Sequence, residues 1–270
     1  DSGSIDEQAY IKKLTSDVRV VSIVHTSPVT GMTVDLEKIT KEVRNVTPDC
    51  IIIVDGIQHS SHGAIDVQKY DIDGYVVSPY KMFSRHGYGV AWASERLCSL
   101  NKEQLADGPF QNWELGTRDA GSYATFSDVV DYLDWLGSNF TESENTRERL
   151  EASSIAIKSH EQELVNLVLN GTEDITGLID NREIQIIGTS DSKFREGVVS
   201  FFQKNKPSSI IVEELRQRKI RVHIRKDDHY CGNILRPLNQ KDCIRFSICH
   251  YNSKAEVVAF LRAINEISAN

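Results

Sequence analysis

The sequence predicts an α/β protein, with a mostly parallel sheet in its first half and a smaller α+β domain after it. Three observations carry this expectation. Short β-branched runs alternate with helical stretches as far as Trp92. The pattern turns helical from Ser122. The remainder then sets short strands beside two further amphipathic helices.

Val18 to Val24 reads as the first strand. Leu36, Ile39 and Val43 fall on one helical face, and Cys50 to Val54 reads as a second, fully buried strand. Tyr75 to Val77 and Gly89 to Trp92 supply two more. Phe126, Val129, Val130 and Leu133 then share a helical face, with Gly137 as the stop. Thr141 and Glu144 form a capping-box pattern opening a long polar helix that closes near Gly171. This gives two expected domains, 1–140 and 141–270. In the second, strands at 184–187 and 198–202 precede a helix at 208–218. Strands at 220–224 and 244–249 precede a last helix, capped by Ser253 and Glu256 and buried through Val257, Phe260, Leu261 and Ile264.

Composition narrows the function classes. Hydrophobic residues at 40% and charged residues at 26% are ordinary for a globular protein. A net charge of −8 argues against nucleic-acid binding, which needs a broad basic surface, but is compatible with a local anion pocket. The longest unbroken apolar stretch, Cys50 to Val54, is far too short to cross a bilayer, so no membrane partner is expected. The 5 cysteines form no CxxC pair, and an odd count fits a reducing compartment; a cytoplasmic location is the expectation. His59 and His62 have metal-ligand spacing, but no third ligand follows at a recognisable interval, so no metal is expected.

The chemistry concentrates between Asp55 and Lys81. Asp55 ends an apolar strand, and in open α/β sheets ligands bind at that carboxyl edge. A carboxylate flanked by groups too apolar to solvate it needs a cationic partner. Lys81 follows another apolar strand, so both side chains are expected at the same crevice. An amine there is a nucleophile toward a carbonyl. Taken singly, Asp55 reads as a turn cap and Lys81 as a surface residue.

The segment as a whole resembles the class V aminotransferase family of pyridoxal-phosphate (PLP) enzymes, which includes cysteine desulfurases and selenocysteine lyases. The family's motifs appear as Asp55-Gly56-Ile57-Gln58, His62, Ile65-Asp66-Val67, Asp73, Ser78-Pro79-Tyr80-Lys81 and Gly87-Tyr88-Gly89, with no gap between Asp55 and Lys81. The resemblance implies the fold type I large domain and PLP as cofactor. It makes Lys81 the residue that binds PLP covalently and shuttles protons, and Asp55 the partner of the pyridinium nitrogen. Gln58 would touch the ring hydroxyl, and Ser78 the phosphate. Tyr80 stands where the family usually has His; it offers a phosphate one hydrogen bond but no charge. Tyr80-Lys81-Met82-Phe83 followed by His86 is similar to a desulfurase-like subgroup.

Further matches extend the resemblance along nearly the whole chain. Trp113 to Thr117 is similar to a family Glu-x-Gly-Thr whose threonine reaches a phosphate in a neighbouring subunit, which implies a homodimer. Arg245-Phe246-Ser247, continuing to Tyr251-Asn252-Ser253, resembles the strand whose arginine clamps the substrate α-carboxylate; a planar fork of donors suits that task. Cys231 stands where one desulfurase class carries its sulfur-accepting thiolate. Ser27-Pro28 replaces the family's Ser-Asn, and the family's Thr-rich phosphate loop and ring-stacking residue are not found, so the match is to an N-terminally incomplete large domain.

The expectation is therefore a PLP-dependent enzyme acting on a small amino acid, cysteine desulfurase- or C–S lyase-like. The alternatives are an aminotransferase or epimerase working at Cα, and a non-catalytic remnant of the fold.

Overall fold

The computed structural model describes residues 6–108, 113, 115–117 and 119–269. The chain divides into two units, one of Asp6–His25 with Val34–Ile155, the other of Thr26–Thr33 with the chain from Ala156 onward.

The first unit holds α1 (Glu7–Ile11), β1 (Val20–Val24), α2 (Leu36–Val46), β2 (Ile51–Asp55), β3 (Gly74–Val77), β4 (Val90–Ala93), α3 (Glu95–Cys98) and α4 (Ala120–Gly137). Its sheet runs in the order β1-β2-β3-β4. β1, β2 and β3 are parallel and β4 is antiparallel, so the sheet is mostly parallel, as the alternating pattern predicts. Alternate residues Val21, Ile23, Ile52, Val54, Tyr75 and Val77 are buried with Leu36, Ile39 and Val43 of α2, forming one core. Burying each such side chain stabilises by roughly 1.5–3 kcal/mol before entropy is counted. Asp35 starts α2 by accepting the Lys38 N–H at 3.1 Å.

α5 (Thr146–Asn170) starts later than the sequence suggests. Thr141 Oγ1 accepts from Ser143 N at 3.2 Å and Ser143 Oγ from Asn145 N at 3.1 Å. These local turns compete with helix, and the first turn is capped by Asn145 Oδ1 on Glu148 N at 3.2 Å. Gly137 is the last residue of α4 rather than a stop beyond it. A Cβ there would meet the Arg149 carbonyl oxygen, so glycine is what lets the two helices approach. The division between units falls within α5, at 155/156, where the sequence pattern suggests 140/141.

The second unit continues with β5 (Gly171–Thr172), β6 (Ile175–Thr176), β7 (Ile184–Ile187), β8 (Val198–Gln203), α6 (Ser208–Gln217), β9 (His223–Lys226), α7 (Gly232–Leu235), β10 (Asp242–Ser247) and α8 (Lys254–Ala269). β7, β8, β10 and β9, in that order, form an antiparallel sheet. One face carries the main core, in which Phe246 stacks on Phe260 with ring centroids 4.2 Å apart. The other buries Val29, Ile187, Phe202, Cys231, Leu235 and Cys243. The Ser253–Glu256 capping box forms as expected, with Ser253 N to Glu256 Oε2 at 2.7 Å and Glu256 N to Ser253 Oγ at 3.3 Å. β9 begins three residues after Ile220, where the sequence pattern places its start. No helix among the described residues is long and apolar enough to cross a membrane.

Candidate active site

The site grows from the carboxyl edge of the parallel sheet. Pairing sets Asp55 beside Val24 of β1 and Val76 of β3. Asp55 is half-buried, and its Oδ1 accepts the Ile57 N–H at 3.0 Å. No cation pairs with this carboxylate among the described residues. Gly56 follows because any Cβ would strike the Tyr75 ring. The chain then turns through Ile57 and Gln58 into a 3-10 turn, His59–Ser61.

Lys81 comes from the end of the neighbouring strand. After Val77 the chain enters a second 3-10 turn, Pro79–Met82, closed by Phe83 in the left-handed region at φ 70. Lys81 is half-buried, and its Nζ donates to Gln58 Oε1 at 2.9 Å. The amide nitrogen of Gln58, Nε2, lies 3.1 Å from His62 Nε2. An amide NH₂ only donates, so that imidazole nitrogen is the acceptor, and the contact fixes which end of the amide faces the lysine. Ser78 is half-buried at the mouth of the turn. Tyr80 is 41% exposed and stacks on His86 with centroids 4.2 Å apart.

Two arrangements escaped sequence reasoning. His25, just past β1, is buried with Nδ1 2.8 Å from the Tyr75 hydroxyl, and its ring stacks on His59 at 3.6 Å. A polar residue directly after an apolar strand was the available signal for His25. Its partners, far along the chain, were not legible. Asp73 is a buried brace rather than a ligand. Its Oδ2 accepts the Ile52 N–H at 2.8 Å, and its Oδ1 accepts from Arg96 Nε at 2.8 Å. Arg44 Nη2 adds a bond at 3.0 Å. Burial alone would push this carboxyl up, but the bonds from Arg96, Ile52 and Arg44 outweigh it and hold it at about 2. His59 and His62 are engaged elsewhere: His59 Nε2 lies 3.1 Å from the Ala64 carbonyl.

The remaining predicted residues lie apart from this cluster in sequence. Thr117 is exposed. Arg245, on β10, donates from Nη1 to the Pro28 carbonyl at 3.0 Å, so Pro28 contributes its backbone where the Ser-Asn pattern has a side-chain amide. Cys231 is fully buried, and desolvation pushes its thiol up, against the lowering effect of Arg225. In this conformation it is a poor nucleophile, the reverse of the thiolate a sulfur acceptor needs.

A profile of the family described as aminotransferase class-V matches residues 1–260. The chain belongs to that family. Among similar proteins, an aminotransferase-like protein of Gibberella zeae is 27% identical over 97% of this chain and 62% of its own length. A probable cysteine desulfurase of Treponema pallidum is 23% identical over 98% of this chain and 63% of its own. Among solved structures, the apo form of a cysteine desulfurase from Thermococcus onnurineus superposes with a TM-score of 0.79 at 22% identity, covering 99% of this chain and 64% of that one. That likeness establishes the fold, a class V aminotransferase fold with its mostly parallel sheet. The chain spans less than two thirds of the length of these relatives.

Proposed function

We propose that the protein works as a PLP-dependent enzyme on a small amino acid, with Lys81 as the cofactor-binding residue. The observation that carries this reading is a half-buried amine and a carboxylate with no cation partner among the described residues, set on adjacent strand ends. The donor set suits PLP: Lys81 supplies the amine, Asp55 a carboxylate, Gln58 an amide, and Ser78 and Tyr80 hydroxyls. PLP, when bound, supplies an electron sink next to the substrate α-carbon.

The chain's own groups would divide the work. Asp55 would hold a positive charge at the ring nitrogen, an attraction that its half-burial strengthens. Gln58, oriented by His62, presents its carbonyl oxygen to a donor. Lys81 Nζ takes and returns a proton at the substrate. The resemblance assigns the substrate α-carboxylate to Arg245, and Thr117 to a second copy of the chain in a homodimer.

The names of the relatives support cysteine desulfurase-like C–S bond cleavage. The burial of Cys231 supports the second reading, aminotransferase or epimerase chemistry at Cα, which needs no cysteine. Incubation with PLP and cysteine, measuring alanine and sulfide, separates them. Sulfide release that Cys231→Ser abolishes supports the desulfurase. Amino-group transfer or loss of optical activity without sulfide supports the other. No visible cofactor absorption and no turnover with any small amino acid would overturn both.

A further inference from the structure

β9 and β10 pair with Arg245 opposite His223 and Cys243 opposite Arg225. Opposed residues of an antiparallel pair point to one face, as do residues two apart along a strand. Arg225, His223 and Arg245 therefore share a face with Cys243, while Ile244 and Phe246 turn into the main core. Arg221, just before β9, continues the same alternation. Their proximity has an electrostatic signature. The His223 imidazole is pushed down by burial and then by the charges of Arg245, Arg225 and Arg221.

This face has cations in excess. Arg225 is half-buried, its Nε is shut off from solvent, and its guanidinium makes no hydrogen bond or ion pair among the described residues. The nearby acids are committed. Asp227 Oδ1 holds Arg236 Nε at 2.8 Å. Asp228 Oδ1 accepts the N–H groups of Tyr230 and Cys231, each at 2.9 Å. Asp242 stands opposite Lys226 in the strand register, on the other face of the sheet. A buried guanidinium donor left without an acceptor is costly and rare in folded proteins, and the fork geometry suits a bidentate anion.

We propose that this face is a second anion-binding position, where Arg225, with His223 and Arg221, takes a carboxylate, sulfonate or phosphate group beside Arg245. It rests on the reading of Arg245 as the α-carboxylate clamp. The substrate is then an amino acid whose side chain carries its own acidic group.

Two arms test it. In the first, the full chain is titrated with inorganic phosphate while the His223 ring is followed by NMR. A bound anion offsets the arginine charges, so the His223 pKa rises, and the rise is lost in Arg225→Gln. A His223 pKa indifferent to phosphate, or equally responsive in Arg225→Gln, overturns the site. This arm needs no cofactor, so it stands even if the PLP reading fails. In the second, aspartate and asparagine binding to the PLP-treated protein are compared by calorimetry. Aspartate is expected to bind about tenfold tighter, a preference lost in Arg225→Gln. Equal affinities would overturn the assignment to substrate and leave a free anion as the occupant.

Discussion

Lys81 Nζ donates a 2.9 Å hydrogen bond to Gln58 Oε1, joining the ends of two adjacent parallel strands through their side chains. The amine is thereby aimed by a neutral amide, and the amide is aimed in turn by His62.

Removing Asp55 tests the electrostatic half of the site. Asp55→Asn keeps the turn, since an amide oxygen still accepts the Ile57 N–H, but loses the negative charge. Turnover should fall about a hundredfold or more, the range for losing a preorganised charge in an active site, with little change in melting temperature. Turnover unchanged in Asp55→Asn would remove the carboxylate from the mechanism.

His62→Leu tests the orientation of Gln58. It leaves a buried amide donor facing an apolar group, so stability should drop by about 1–3 kcal/mol in chemical denaturation. The covalent capture of a small aldehyde by Lys81 should also slow. A variant that matches wild type in both measurements would show that the contact orients nothing.

Asp73 makes stability acid-sensitive. Its folded carboxyl titrates at about 2, below the ordinary aspartate value of 3.8. The folded state thus holds the carboxylate more tightly than the unfolded chain does. The stabilisation is complete above roughly pH 4 and is lost as pH falls through the folded value. Asp73→Asn should abolish that part of the acid dependence. At neutral pH it should cost about 3–5 kcal/mol, because Arg44 and Arg96 lose their shared anion.

Thiol reactivity should rank by burial. Cys231 and Cys243 are fully buried, with desolvation pushing the Cys243 thiol up to about 12 and the Cys231 thiol up in the same direction. Alkylation of the native protein should label the partly exposed Cys98 first and spare both until denaturant is added. Early labelling of Cys231, read by peptide mass spectrometry, would return it to candidacy as a sulfur acceptor.

Arg195 should not tolerate lysine. It is buried without an ion pair among the described residues. It donates to the carbonyls of Thr30 and Ile187 at 3.0 Å each and of Val198 at 3.3 Å, with Thr189 as a further acceptor. Burial lowers its pKa to about 10. A single ammonium cannot replace the fork, so Arg195→Lys should cost on the order of 2–4 kcal/mol in denaturant unfolding.

Local rules reached far into this fold. The apolar run ending at Asp55 and the Ser253–Glu256 box are contiguous patterns, and each formed where the sequence put it. The helix start at Thr146 is not legible locally, because Thr141, Ser143 and Asn145 are each capable of capping, and it is Asn145 that caps the first turn. Pairings between distant residues were out of reach. Nothing local joins His25 to Tyr75, Asp73 to Arg44 and Arg96, or the segment Thr26–Thr33 to the second unit. The burial of Cys231 is of the same kind, since it depends on Val29, Ile187 and Phe202 closing over it.

The central claim rests on which lysine takes the cofactor. Incubation with PLP, reduction with borohydride and peptide mapping by mass spectrometry should place a phosphopyridoxyl group on the peptide carrying Lys81, and Lys81→Ala should leave the protein unmodified there and colourless. Modification confined to other lysines, or a coloured and reducible complex that survives in Lys81→Ala, would contradict the account.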